Sequence, residues 1–219
     1  TIVGYDMLMI IAHPSNTASS LTLDEVRDIF ARKITRWDQV GGPAKPIVIV
    51  GRESADAGVA VMFDEMVMKG TPISSRRLSV LSSSEIEQEI ENNPYGIAVT
   101  GISAKAREVK LLSIGGVPPD RAHFRDGSYP LARPLYLVTK GEPAGDTKDF
   151  IDFVLSKEGQ QIMGKNAIAI RDWAVRSKNS GAIAAPIAKE EKLRAGSERR
   201  KRKTPSLKQK QRAKKRGRQ

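Results

Sequence analysis

Met7-Leu-Met-Ile-Ile-Ala12, stopped by His13-Pro14-Ser15-Asn16 and followed by Thr22-Leu-Asp-Glu25, is the stretch on which the fold turns. Six apolar residues in a row, ended by turn-forming residues, read as a strand buried on both faces. Thr22 and Glu25 form a Thr-x-x-Glu capping box, which opens a short helix carrying Val26, Ile29 and Phe30 and ending near Lys33. A buried strand handing over to an amphipathic helix is the signature of an α/β protein.

The alternation continues outward from this point. After the break at Gly41-Gly42-Pro43, Ile47 to Val50 reads as a second buried strand. Val59, Met62, Phe63, Met66 and Val67 then follow the i, i+3, i+4, i+7, i+8 spacing of a helix with one apolar face, closed by Gly70. Ser84-x-x-Glu87 suggests a further capping box, opening a helix with Ile86 and Ile90 that stops at Asn92-Asn93-Pro94. Strands are expected at Gly96 to Thr100, Val109 to Ile114 and Leu135 to Thr139. A single helix is expected from about Asp146 to Met163, with Phe150, Phe153 and Val154 inward. There is no internal repeat, which argues against solenoids and propellers.

Composition removes several classes of function. The 219 residues contain no cysteine, so disulfide scaffolds, thiol nucleophiles and cysteine metal sites are excluded. No run of 18 apolar residues exists to span a bilayer as a helix. The net charge of +12 is unevenly placed: of 37 basic and 25 acidic residues, 16 and 3 fall in 177–219, leaving 21 and 22 in 1–176. The body is nearly neutral and the tail carries the charge. That tail is too poor in apolar residues to offset its conformational entropy and is expected to be disordered. The chain opens at Thr1 without an initiator methionine, so a removed leader or longer upstream sequence is expected.

Motifs with chemical content are few. His13 and His123 are the only histidines and form no metal-ligand pair; both read as surface or turn residues. Glu85, Glu87, Glu89 and Glu91 alternate at a spacing that spreads them over a solvated helix surface. Gly159-Gln-Gln-Ile-Met-Gly164-Lys165-Asn166 nearly spells a P-loop, but it continues a helix instead of following a strand, so Gly164 reads as a helix cap. Nothing points to an enzyme, a metal or a cofactor. The suggestive segment is Val50-Gly-Arg52-Glu-Ser54-Ala-Asp56-Ala57-Gly58-Val59, where a buried strand ends in an Arg and a polar loop leads into a helix. Free N–H groups at a helix start beside a guanidinium make an anion site. The alternative is a helix capped by Ser54 or Asp56 with Arg52 merely paired to an acid.

Several phrases taken together resemble the substrate-binding proteins of bacterial phosphate ABC transporters. They are Leu21-Thr-Leu-Asp-Glu-Val-Arg-Asp-Ile-Phe30, Ile34-Thr-Arg-Trp37, Val40-Gly-Gly42, Pro46-Ile-Val-Ile-Val-Gly-Arg52, Tyr129-Pro-Leu-Ala-Arg133-Pro-Leu-Tyr136 and Phe150-Ile-Asp-Phe-Val-Leu-Ser156-Lys-Glu-Gly159-Gln160. The resemblance covers about residues 1 to 173. It implies a type II periplasmic-binding-protein fold in which two α/β lobes close on an oxyanion. Carried over, 1–44 is an incomplete first lobe, 45–126 the second, 127–176 a return to the first, and 177–219 the basic tail. The resemblance further implies a monomeric, extracytoplasmic, non-enzymatic protein that binds inorganic phosphate or a related oxyanion and delivers it to ABC transporter membrane subunits. The expected ligand-binding residues are Arg52, Ser54, Ala57, Gly58 and Val59.

Two departures qualify that expectation. The family begins some eighty residues earlier, so the chain looks N-terminally truncated. The family's Ser-Gly-Thr at the helix start is Ala57-Gly58-Val59 here, with one residue inserted after Arg52. A hydroxyl bonded to a charged oxygen contributes roughly 1.5 to 3 kcal/mol, so losing two predicts a weak or degenerate site. Asp56 adds repulsion. A different reading makes the tail the working part, with Arg199 to Arg218 gripping nucleic acid or an anionic surface electrostatically. It lacks the interleaved aromatic residues on which single strands stack.

Overall fold

The computed structural model describes residues 1–52, 58–102 and 107–170. Its fold is mixed α/β, as the alternating pattern implies. The expected disordered tail at 177–219 lies outside the described residues.

The opening apolar run is the second half of a longer strand, β1 (Ile2–Ala12), in which every residue but Ile2 is buried. Its second half sits between two antiparallel neighbours. One is β5 (Gly96–Gly101), with Leu8 opposite Gly101 and Ala12 opposite Ile97; the other is β6 (Lys110–Ile114), with Ile10 opposite Leu112. Its first half pairs with β7 (Ala132–Tyr136), Met7 opposite Ala132, with an irregularity between Ile2 and Gly4. Parallel pairs complete the sheet: β3 (Val48–Arg52) lies between β5 and the short β4 (Leu78–Val80), and β2 (Ser20–Leu21) flanks β6. The strand order is β2-β6-β1-β5-β3-β4, with β7 on β1. β7 begins three residues before the expected start at Leu135.

The capping box at Thr22 is present. The Thr22 hydroxyl accepts the Glu25 N–H at 3.1 Å, and the Glu25 carboxylate accepts the Thr22 N–H at 2.7 Å, opening α1 (Leu23–Phe30). The apolar stripe from Val59 forms α2 (Gly58–Phe63) and runs on as a π-helical turn over Asp64–Met68, which ends at Lys69 in the left-handed region. Phe63 meets Phe30 edge to face at 4.7 Å between ring centres, which joins this helix to α1.

The second box is displaced. Ser82, not Ser84, caps α3 (Ser83–Asn92), and Glu85 takes the part expected of Glu87 by accepting the Leu81 N–H. Glu87 is therefore freed to turn inward. It is 1% exposed and accepts bonds from the Thr100 hydroxyl and the Arg107 N–H, so the alternating glutamates are not all solvated. A buried carboxylate survives because such donors replace its water.

The expected single C-terminal helix is two, α5 (Gly145–Leu155) and α6 (Lys157–Asn166). Ser156, in extended conformation, ends the first and caps the second by accepting the Gly159 N–H. The inward residue of α5 is Ile151, while Phe150 and Phe153 are 57% and 45% exposed, contrary to the expected phase. The P-loop look-alike lies within α6, and its Gly164 is interior rather than a cap. Between α3 and α5, α4 (Arg121–Arg125) places His123 in a helix capped by Asp120.

Backbone and side-chain bonds also cross the expected boundary at 44/45. The Ile47 N–H reaches the Thr35 carbonyl, Arg32 donates to the Ile47 carbonyl, and the buried Trp37 indole donates to the Tyr95 carbonyl at 2.9 Å. The change of partners falls inside β1, between Met7 and Leu8.

Candidate anion-binding site

β3 carries the chain to Arg52, whose carbonyl accepts a bond from Arg77 Nη2 at 3.3 Å. Arg77 passes over Gly51, where a Cβ would stand 3.3 Å from Arg77 Cδ, a tight contact. The Arg52 Nε is sequestered from solvent without a hydrogen-bond partner among the described residues. A guanidinium N–H left in that state costs free energy until an acceptor arrives. Arg52 and Arg77 both line a cavity of about 470 Å³ beneath α2, with walls that include Phe63, Ile86, Val99 and Val59. Asp64 and Glu65 of the π-helical turn also line it.

The start of α2 faces a second cation. A Cβ on Gly58 would lie 2.6 Å from Arg133 Nη1, so glycine is what lets the helix begin against that guanidinium. Arg133, on β7, is itself held by Asp6 of β1: its Nη2 and Nε donate to Asp6 Oδ2 at 2.7 and 3.2 Å. Asp6 is completely buried, and the Arg133 side chain is 15% exposed. Gly101, the last residue of β5, leaves room for the same carboxylate, which a Cβ would strike. Asp6, Arg133, Gly58 and Gly101 thus meet where β1 changes partners.

Of the expected ligand residues, the structure describes Arg52, Gly58 and Val59. Arg52 and Val59 line the cavity, and Gly58 lies against Arg133. Ser54 and Ala57 lie outside the described residues. Sequence reasoning missed the pair of Asp6 and Arg133. The available signal was a lone carboxylate at the head of an apolar run, since a charge buried there needs a partner.

The histidines stand apart from this region. His13 Nδ1 shares a 2.8 Å bond with the Ser15 hydroxyl in a turn. His123 Nδ1 meets the Asp120 carboxylate, whose pKa is lowered first by the His123 backbone N–H and further by the imidazole. No group of three potential metal ligands converges among the described residues. No helix among them is long and apolar enough to cross a membrane.

The model of the PBP superfamily domain matches residues 1–158. A crystal structure from Clostridium perfringens, described as a phosphate ABC transporter substrate-binding protein with bound phosphate, superimposes with a TM-score of 0.71 at 32% identity, over 77% of this chain and 70% of that one. The chain belongs to the PBP superfamily, among the phosphate ABC transporter substrate-binding proteins. An ABC-type phosphate transport receptor from Vibrio cholerae shares the type II fold, with a TM-score of 0.68 at 24% identity over 77% of this chain and 71% of that one. The phosphate-binding protein PstS of Bacillus subtilis is 27% identical over 172 residues, which is 77% of this chain and 57% of that protein. PstS of Borreliella burgdorferi is 26% identical over 175 residues, 74% of this chain and 62% of that protein. The chain therefore spans about three fifths of the length of these two PstS relatives.

Proposed function

We propose that this chain is the ligand-binding body of a non-enzymatic, extracytoplasmic solute-binding protein that takes phosphate or a related oxyanion and serves an ABC-type uptake system. The observation that carries the reading is Arg52, a strand-end residue that lines the cavity and whose sequestered Nε has no hydrogen-bond partner among the described residues. An oxyanion supplies the acceptor that this N–H lacks, in a charge-assisted bond. Relatives and solved structures named for phosphate binding support the same reading.

Binding on this account makes and breaks no covalent bond. Arg52 offers the charge, and Ser54, Ala57, Gly58 and Val59 are the further contacts expected from the sequence. The two lobes that the family resemblance implies would close on the anion, with the buried cross-strand pair of Asp6 and Arg133 beside the point where β1 changes partners. Affinity follows the fraction of molecules in the closed form. Because Ala57 and Val59 lack hydroxyls, binding of inorganic phosphate is weak.

Calorimetric titration of the full chain with phosphate, sulfate and molybdate tests the reading. The expected result is heat for at least one anion that disappears in Arg52→Met. Absence of heat at millimolar concentrations of all three overturns it.

A further inference from the structure

The cavity beside Arg52 is far larger than inorganic phosphate requires, and most of the residues that line it are apolar. At about 470 Å³ it falls in the range of roughly 300 to 1,000 Å³ that suits small organic ligands, whereas phosphate has five heavy atoms. Phe63, Ile86, Val99 and Val59 supply hydrocarbon surface, while Arg52 and Arg77 supply cations where β3 ends. Val59 has a particular place in this arrangement. It stands at the position where the family pattern puts a Thr hydroxyl, so the lining exchanges a phosphate donor for a methyl group.

We infer that the site accepts an organic anion, a phosphonate or phosphate monoester bearing a short alkyl or phenyl group, with its head on Arg52 and its substituent against Phe63, Ile86 and Val99. This rests on the anion-binding reading of Arg52. The acidic lining is consistent with it. Asp64 and Glu65 oppose a second anionic group elsewhere in the cavity and favour a ligand whose charge is confined to one end. An apolar substituent also recovers by burial some of the affinity lost with the two hydroxyls.

The test is calorimetric titration of the full chain with inorganic phosphate and with methyl-, ethyl-, propyl- and butylphosphonate, and with n-butanol as the uncharged control. Affinity is expected to rise at each added methylene by twofold or more. The upper bound is about fourfold, which corresponds to the ~0.8 kcal/mol of a fully buried methylene. Arg52→Met abolishes binding of every anion in the series, and Val99→Phe, which fills the cavity, weakens butylphosphonate more than phosphate. If Val99→Phe fails to fold, as judged by far-UV circular dichroism, the ligand series on the native chain decides alone. Phosphate binding with flat or falling affinity along the phosphonates overturns this inference and leaves the oxyanion reading standing. Butanol binding as tightly as butylphosphonate overturns it by removing the role of the cations. Failure of phosphate and all phosphonates to bind overturns both.

Discussion

Replacing Arg133 with Met tests the joint at which β1 changes partners. The substitution keeps most of the side chain's length and removes the two N–H donors that reach Asp6 Oδ2 at 2.7 and 3.2 Å. Asp6 is completely buried and cannot turn to water instead. Breaking a buried pair from one side costs about 3 to 5 kcal/mol, most of it the penalty of an uncompensated charge. The expectation is taken at the lower end, about 3 kcal/mol. For a chain of this size each kcal/mol lowers the melting temperature by about 2 to 4 °C, so a drop of about 6 to 12 °C is expected. Thermal unfolding followed by circular dichroism at pH 7 measures it. The double variant Asp6→Asn/Arg133→Met should be less destabilised than the summed singles, with a coupling of about 1 to 3 kcal/mol. The loss should persist in high salt, unlike that of exposed pairs such as Arg27–Asp24. An Arg133→Met loss below about 1 kcal/mol, or additive single variants, would refute the role given to the pair.

Gly101→Ala drives a Cβ into the Asp6 carboxylate and should lower the melting temperature through the same joint, whereas Gly41→Ser, whose Cβ meets nothing within 4 Å, should cost only the strain of its left-handed backbone; comparing the two melts separates collision from conformation. Stability should also fall in alkali. Burial, followed by the neighbouring Tyr136, pushes the Tyr5 phenol up to about 12, and burial raises that of Tyr129 as well. Unfolded phenols ionise near 10, so the stabilisation is complete below that pH and is lost as pH rises from about 10 through 12. Denaturant midpoints at successive pH values, with phenolate absorbance read in parallel, check the window; midpoints that stay level across it would contradict the assignment.

The parts of this fold that were legible in sequence are those specified by neighbours in the chain. The capping box of Thr22 and Glu25 is a reciprocal contact over three residues, and the stripe from Val59 to Val67 needs only helical pitch. The parts that were not legible depend on distant partners. β1 extends back to Ile2 because β7, more than 120 residues later, pairs with its first half. Asp6 looked like a polar boundary to that strand, since the Arg133 that neutralises it is 127 positions away. Glu87 belongs to an alternating acidic run whose spacing suggests solvent; only Thr100 and the Arg107 N–H reveal it as internal. Phe150 and Phe153 follow an apolar spacing that suggests a core, but the docking of α5 turns Ile151 inward instead. Near the candidate site, the placement of Arg52 at the end of β3 was legible because a cation closes a buried apolar run. The cavity was not, since its walls come from β3, α2, α3 and β5 together.

The central claim is that the segment from Arg52 to Val59 is an oxyanion site weakened by the loss of two hydroxyls. Its most direct test is calorimetric titration of phosphate against the native chain and against Ala57→Ser/Val59→Thr. At roughly 1.5 to 3 kcal/mol for each restored hydroxyl, the double variant should bind phosphate about two to four orders of magnitude more tightly. Unchanged affinity in a folded double variant would mean that these positions do not touch the anion, and would contradict the account.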